Sequence, residues 1–153
     1  MAARSTRATE AARRAGVAYR LHEYDHDPAV RAYGLEAAQA LGVAAELVFK
    51  TLVVVAGGSF VTALIPVTAS LDLRALGKQV ELAASGDAER VTGYVTGGIS
   101  PLGQRRQLKT YLDASALAFE AIFVSAGRRG LELELAPQDL IDLTAAAVKS
   151  LTR

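Results

Sequence analysis

The order of predicted elements indicates an α+β fold, in which helices flank one curved sheet of antiparallel or mixed strands. Two apolar runs joined by Gly57 and Gly58 predict a β-hairpin over residues 48–56 and 60–67. Helical and strand patterns follow one another without the regular alternation that a parallel sheet requires. The chain has 153 residues, which suits one domain. We therefore expect a single domain over residues 1–153.

Five helices are predicted from capping residues and stop signals. Ser5 or Thr6 caps the first helix, Ser70 the third and Ser85 the fourth, while Pro137 suits the first position of the last. Gly16, Gly42 and Gly93 are expected to end helices. The first helix is predicted to end at about Ala15, and the last is predicted to begin at Pro137. The three helices between them are predicted over residues 34–40, 71–79 and 85–91.

The remaining strands are predicted from alternation and from β-branched or aromatic content. Residues 17–24 place Val17, Tyr19 and Leu21 on one face, which is typical of a half-buried strand. The other short strands are predicted at residues 80–84, 110–113, 121–125 and 131–135.

Lys50 is a lone charge within the apolar run of residues 48–56. A buried strand rarely carries an unpaired ammonium group, because removing the charge from water is costly. The side chain must therefore reach water, a protein partner or a ligand. Lys50 could bind a phosphate or a carbonyl oxygen, or it could be an edge-strand charge that prevents aggregation, or a side chain that extends to solvent.

Residues 97–103, the glycine loop, contain Gly97, Gly98 and Gly103 together with Ser100 and Pro101. Glycine lets the backbone approach a ligand closely, and successive N–H groups can bind an oxyanion. The loop matches neither the phosphate loop of nucleoside triphosphatases nor the dinucleotide fingerprint. An ordinary wide turn is the alternative interpretation.

The composition excludes several kinds of site. There is no cysteine, so disulfides, thiolate metal sites and a cysteine nucleophile are absent. His22 and His26 have no metal-binding spacing, and an interpretation as turn-stabilising side chains is favoured.

The longest apolar run is too short to span a membrane, and the N-terminus lacks an apolar signal-peptide core, so we expect a cytoplasmic protein. We expect no metal and no cofactor.

The chain resembles the YbaK/EbsC family of aminoacyl-tRNA deacylases, most of all its Cys-tRNA(Pro) and Cys-tRNA(Cys) branch. The matching motifs occur in order between about Val17 and Leu140. They are residues 22–28, 48–53, 71–73, 92–94, 97–103 and 124–130. The resemblance implies a barrel-like mixed sheet flanked by helices, similar to the editing insertion domain of prolyl-tRNA synthetase.

The resemblance also implies a set of site residues. The essential lysine of the family corresponds to Lys50, with Thr51 beside it, and the catalytic glycine backbone corresponds to Gly97 and Gly98. The other implied substrate-binding residues are Tyr24, Tyr33, Ser100, Pro101 and Asp139.

The implied activity is hydrolysis in trans of tRNA(Pro) that carries cysteine by mistake. In this branch the thiol of the substrate attacks its own ester carbonyl, and the protein supplies positioning rather than a nucleophile. The implied partners are aminoacyl-tRNA and prolyl-tRNA synthetase. The alternatives are a deacylase for alanine or serine, and a non-catalytic module that binds a synthetase or tRNA.

Overall fold

The computed structural model describes residues 4–153, so the expectation that residues 1–3 belong to the domain lies outside them. The helices are α1 (Arg7–Ala15), α2 (Tyr33–Leu41), α3 (Ser85–Thr92) and α4 (Pro137–Thr144). The strands are β1 (Tyr19–Glu23), β2 (Phe49–Ala56), β3 (Ser59–Pro66), β4 (Val80–Leu82), β5 (Lys109–Asp113), β6 (Ile122–Arg128), β7 (Leu131–Leu135) and β8 (Ala147–Lys149). No helix of residues 4–153 combines the length and the apolar character needed to cross a bilayer.

The strands form two sheets rather than the single sheet expected. A three-stranded antiparallel sheet has the order β1-β7-β6, and a five-stranded mixed sheet has the order β4-β2-β3-β5-β8. An isolated bridge between Val48 and Phe123 connects them, and the two sheets do not close into a barrel within residues 4–153. The α+β class and the mixed strand directions are confirmed.

The helix ends are where local sequence chemistry predicts them. Thr6 caps α1 through its side chain, and α1, α2 and α3 end at glycines in the left-handed conformation. Pro137 is the first residue of α4, as predicted. The predicted cap at Ser85 is wrong by one position, because Ala84 is the N-cap and Ser85 begins the helix.

The predicted helix over residues 71–79 is wrong. Only a short 3-10 turn, Leu73–Leu76, forms there, and the Asp72 side chain caps it. The backbone N–H of Asp72 donates to the Leu151 carbonyl at 2.6 Å, and Leu71 forms a bridge with Thr152. This segment therefore pairs with the end of the chain, a long-range contact that local helix propensity cannot reveal.

The three-stranded sheet separates the main core from the side on which the site lies. Leu131, Leu133 and Leu135 of β7 pack into the largest hydrophobic cluster, beneath α1 and α4. The alternate residues of β7 point to the opposite face because successive side chains of a strand alternate. On that face, Phe123 packs with Val48 in a second cluster, next to α2.

Candidate functional site

A cavity of about 410 Å³ lies between the two sheets, and it contains several of the predicted site residues. Its wall includes the first half of β2, the start of α2, part of α3 and the first residues of the glycine loop. The lining residues are Arg31, Ala32, Tyr33, Gly34, Leu35, Phe49, Lys50, Thr51, Leu52, Val53, Val67, Leu82, Ala83, Ser85, Ala88, Thr96, Gly97, Ile99, Ser125 and Glu132.

Lys50 lies on β2, opposite Ile65 of β3, and its side chain is half-buried on the cavity wall. Within residues 4–153 its ammonium group makes no hydrogen bond and no ion pair within 4.0 Å. A cation held in a partly apolar wall without a protein partner can bind an anion or a carbonyl oxygen. β4 pairs with β2 only at Val54–Ala56, so at Lys50 the sheet of the described residues has a strand neighbour on the β3 side alone, as the edge-strand alternative also requires.

Two other polar atoms of the cavity walls are buried without a hydrogen-bond partner among the described residues. They are Thr51 Oγ1, next to Lys50, and Glu132 Oε2, on β7. Buried polar atoms are rarely left unpaired, so each can accept or donate a hydrogen bond to a ligand. Thr51 was predicted to belong to the site, whereas Glu132 was not.

Glu132 is 7% exposed, and burial raises the pKa of its carboxyl group to about 8. It lies opposite Ser125 of β6 and His22 of β1 in the antiparallel register. The His22 ring nitrogen Nε2 contacts Glu134 Oε1 at 2.8 Å instead. Glu132 therefore has no cation among the described residues to offset its burial.

The first half of the glycine loop reaches the cavity. Gly97 has a φ of 86°, and a side chain there would lie 2.7 Å from ring atoms of Tyr33. The N–H group of Gly98 donates to the Val95 carbonyl at 2.8 Å, whereas those of Gly97 and Ile99 make no hydrogen bond within residues 4–153. The N–H groups available to a ligand are therefore those of Gly97 and Ile99, and that of Gly98 is occupied.

The second half of the glycine loop belongs to the core. Ser100 is fully buried, and its hydroxyl oxygen accepts the Leu102 N–H at 3.2 Å. Pro101 is also buried, and neither residue lines the cavity. Gly98 packs so closely on the Arg128 backbone that a Cβ atom added to Gly98 would lie 2.8 Å from the Cα atom of Arg128. These residues fix the loop rather than contact the cavity.

Tyr33 begins α2 and lines the cavity beside Gly97. The Arg129 guanidinium lies over its ring, 5.1 Å from the centroid, and the His26 ring lies 5.6 Å away. His26 Nδ1 in turn contacts Glu36 Oε1 at 2.7 Å. Arg129 also donates to the Thr96 carbonyl at 2.8 Å, so one guanidinium holds both the aromatic ring and the start of the glycine loop.

Tyr24 and Asp139 do not line the cavity. Tyr24 is half-buried, and burial, followed by the nearby charges of Glu132 and Glu36, raises its pKa to about 12. Asp139 is in the first turn of α4, where a carboxylate is favourable because of the helix dipole. The structure thus brings together Lys50, Thr51, Tyr33 and Gly97, places Tyr24 close to Glu132, and leaves Asp139 on a separate helix.

The two histidines each contact a glutamate, but only His26 lies in the loop after β1, whereas His22 is within the strand. His22 contacts Glu134 and His26 contacts Glu36. No group of three or more histidine or acidic side chains within residues 4–153 could hold a metal ion.

Comparisons with known proteins identify the family. A family model described as an aminoacyl-tRNA editing domain matches residues 27–143. The chain is 41% identical over 121 residues to EbsC of Enterococcus faecalis, provisionally named a Cys-tRNA(Pro)/Cys-tRNA(Cys) deacylase, and the match covers 75% of this chain and 74% of EbsC.

Solved structures share the whole fold. A protein provisionally described as a trans-editing enzyme for prolyl tRNA synthetase matches with a TM-score of 0.84 and 27% identity, and the match covers 99% of each chain. The hypothetical protein APE2540 matches with a TM-score of 0.86 and 26% identity over 97% of this chain and 100% of its own. The predicted class of enzyme, an aminoacyl-tRNA deacylase, is confirmed. The chain belongs to the aminoacyl-tRNA editing domain family, of which the YbaK/EbsC proteins predicted from its motifs are members.

Proposed function

We propose that this protein removes cysteine from Cys-tRNA(Pro) in trans, with Lys50 as the residue that anchors the aminoacyl end. The name of EbsC and the description of the structurally similar trans-editing enzyme support this choice of substrate. The observation that carries it is the unpaired ammonium group of Lys50 on the wall of a cavity large enough for a small aminoacyl group.

Lys50 binds either the carbonyl oxygen of the ester or a phosphate of the terminal nucleotide. Both are electronegative oxygens that satisfy an ammonium group removed from bulk water. The same cation, held in place before the substrate arrives, stabilises negative charge that develops on the carbonyl oxygen.

The N–H groups of Gly97 and Ile99 are the backbone donors suited to the developing oxyanion. Both residues line the cavity, and both N–H groups lack a partner among the described residues. Donors that are fixed in advance by a rigid loop stabilise a transition state without further reorganisation. Gly98 supports this loop through its bond to Val95 and its contact with Arg128 rather than through an oxyanion contact.

The chemical step uses the nucleophile of the substrate. The cysteine sulfur forms a bond to the ester carbonyl carbon, the bond from that carbon to the ribose oxygen breaks, and the thiol proton ends on the ribose oxygen. The resulting thiolactone is opened by water to give free cysteine. The chain contains no cysteine of its own, so the nucleophile comes from the substrate, while the protein holds thiol and carbonyl in reacting geometry and stabilises the oxyanion.

Prolyl-tRNA synthetase is the proposed partner in tRNA capture. A formal net charge of +1 gives the protein little long-range attraction for a polyanion. An enzyme that acts on a tRNA already held by its synthetase does not need such attraction.

The test is a panel of tRNA(Pro) charged with cysteine, serine, alanine or proline. We expect hydrolysis of the cysteine ester to exceed that of the serine ester by at least about tenfold, because the hydroxyl is the poorer nucleophile. Lys50→Ala should lower kcat/KM for Cys-tRNA(Pro) by about 100-fold or more. Lys78→Ala removes an exposed lysine outside the cavity and should retain the wild-type rate.

Three results would contradict the proposal. Equal hydrolysis of the cysteine and alanine esters would exclude thiol assistance, because alanine has no nucleophile. Wild-type rates in folded Lys50→Ala would exclude the anchoring role. Binding of tRNA without turnover of any ester would indicate the non-catalytic module.

A further inference from the structure

Glu132 is the strongest feature of the cavity that the proposed reaction leaves without a role. Glu132 is 7% exposed and lines the cavity, and its Oε2 atom has no hydrogen-bond partner within residues 4–153. The neighbouring glutamate on the same face of β7, Glu134, is bound by His22. Two glutamates two residues apart are therefore in different situations: Glu134 contacts His22, whereas Glu132 lines the cavity with a buried oxygen that has no partner within residues 4–153.

The groups around Glu132 do not supply a cation. Tyr24, which interacts electrostatically with both Glu132 and Glu36, is not a cation, and Ser125 is the register partner of Glu132 on β6. His22, its register partner on β1, contacts Glu134. Lys50 lines the same cavity from the other sheet but forms no ion pair with it within 4.0 Å. A buried carboxyl group in this position stays protonated in the neutral range, and it ionises there when a cation enters with the ligand.

Among the described residues, the cavity therefore presents one ammonium group and one carboxyl group without a protein partner, on different sheets, and the guanidinium of the third charged lining residue, Arg31, donates to the Pro28 carbonyl. A complementary ligand carries an electronegative oxygen for the first and a cation for the second. An aminoacyl ester has both, because its carbonyl oxygen and its α-ammonium group are attached to adjacent carbon atoms.

We propose that Glu132 is a specificity-determining residue that receives the α-ammonium group of the aminoacyl ester, while Lys50 contacts the carbonyl or phosphate oxygen. This inference rests on the proposed deacylase function. It assigns the selection of a free α-amino group to Glu132. The pKa of about 8 for Glu132 supports it, because an α-amino group also titrates near 8 and the two groups can share one proton in the neutral range.

The test compares two substrates that differ only in the amino group. One is Cys-tRNA(Pro), and the other is 3-mercaptopropionyl-tRNA(Pro), which retains the thiol and the ester but lacks the α-amino group. Each is assayed with the wild type, with Glu132→Gln and with Glu134→Gln, a matched substitution on the same strand outside the cavity.

We expect the wild type to prefer Cys-tRNA(Pro) in kcat/KM by at least about tenfold, since a buried charged hydrogen bond is lost with the desamino substrate. In Glu132→Gln that preference should shrink to about twofold or less, through a slower reaction of Cys-tRNA(Pro) alone. Glu132→Asp, which keeps the carboxylate, should retain part of the preference, and Glu134→Gln should retain all of it.

The outcomes separate this inference from the function on which it rests. If the wild type hydrolyses neither substrate, the proposed function fails. If the wild type hydrolyses Cys-tRNA(Pro) and Glu132→Gln keeps the full preference, only the role of Glu132 is overturned. Equal slowing of both substrates in Glu132→Gln would also overturn it, because the residue would then act on a group common to both.

A measurement on the wild type covers the case in which Glu132→Gln does not fold. The carboxyl carbons of glutamate are isotopically labelled, and the NMR titration of Glu132 is followed with 3′-alanylamino-3′-deoxyadenosine or its propionylamino counterpart. The alanyl compound should lower the Glu132 pKa by at least about 1 and bind at least about tenfold more tightly than the propionyl compound. Identical titration of Glu132 with both compounds would overturn the inference.

Discussion

The wall of the cavity on β2 and the wall on β7 each carry one ionisable side chain without a partner among residues 4–153, but the two side chains differ in their surroundings. Lys50 is half-buried on β2, whereas Glu132 is 7% exposed on β7 and has its pKa raised to about 8 by burial. A partly exposed ammonium group keeps some of its hydration. A buried carboxyl group, by contrast, stays protonated until a higher pH or a bound cation favours its ionised form. The glutamate wall therefore becomes charged only when the pH or a ligand changes the protonation of Glu132.

The largest effect expected from this difference is a pH-dependent stability that comes from Glu132. The carboxyl group is ionised above about pH 4.5 in the unfolded chain and only above about 8 in the folded protein. Between these values the folded state binds the extra proton, so the free energy of unfolding falls as the pH rises through this window. The loss is on the order of 5 kcal/mol at most and is complete above the folded pKa.

Chemical denaturation of the wild type and Glu132→Gln at about pH 5, 7 and 9 would measure this effect, with Glu134→Gln as the control. The difference in unfolding free energy between the wild type and Glu132→Gln should shift by several kcal/mol in favour of the variant as the pH rises. A pH-independent difference would show that the folded protein ionises Glu132 without cost, and the contrast between the two walls would then disappear.

The same contrast explains why the sequence reveals one wall and not the other. Lys50 interrupts an apolar run, so its anomaly is visible in the sequence. Glu132 alternates with Leu131 and Leu133, a pattern typical of a strand with one face in solvent. That face is instead covered by β2 and α2, and only tertiary structure shows that the carboxyl group is buried.

The fold was predictable wherever local backbone chemistry decides the outcome. Glycines in the left-handed conformation end three helices, and Pro137 begins the last. The prediction was wrong where contacts with a distant segment of the chain determine the local structure. The helix expected over residues 71–79 is replaced by pairing with Leu151 and Thr152, and strand β8 in that C-terminal region was not predicted.

The glycine loop was predicted as one unit, but the structure divides it. Gly97 and Ile99 line the cavity, whereas Ser100 and Pro101 are buried in the core. Glycine, serine and proline are all common in loops, so their presence does not distinguish a loop that binds a ligand from one that packs. The distinction depends on tertiary contacts, since Gly97 lies against Tyr33 of α2 and Gly103 lies against Arg7 of α1.

A smaller effect is expected from Gly97, which lies beside Tyr33 between the two walls. Gly97→Ala should lower the free energy of unfolding by about 2 kcal/mol, because its φ of 86° is strained for alanine and its side chain would meet the Tyr33 ring. Gly57→Ala is the matched control, since Gly57 also has a positive φ of 58° and no atom within 4 Å of an added side chain. It should cost only about 1 kcal/mol.

Comparison of the two glycine variants by denaturation separates backbone strain from the contact with Tyr33. Gly97→Ala should in addition lower the deacylation rate, because the ring and the loop must move apart. If both variants were destabilised equally and kept their deacylation rates, that result would mean that the close contact between Gly97 and the Tyr33 ring does not control the shape of the cavity.

The smallest effect on stability is expected from Thr51→Val. Thr51 Oγ1 is buried without a partner among the described residues, so replacing the hydroxyl by a methyl group of similar size removes a polar atom that those residues do not satisfy. The free energy of unfolding should rise by up to about 1 kcal/mol. Thr110→Val, the control, removes a hydroxyl that donates to the Leu108 carbonyl at 2.9 Å, and should lower it by about 1 to 2 kcal/mol.

The activity of Thr51→Val then decides what the unpaired hydroxyl is for. A variant that is at least as stable as the wild type but slower on Cys-tRNA(Pro) would assign the hydroxyl to the substrate, next to Lys50 on the same wall. If Thr51→Val were destabilised as much as Thr110→Val, the hydroxyl would have a partner within the folded protein. The β2 wall would then offer the substrate only the ammonium group of Lys50, and the contrast with Glu132 would reduce to one charge on each sheet.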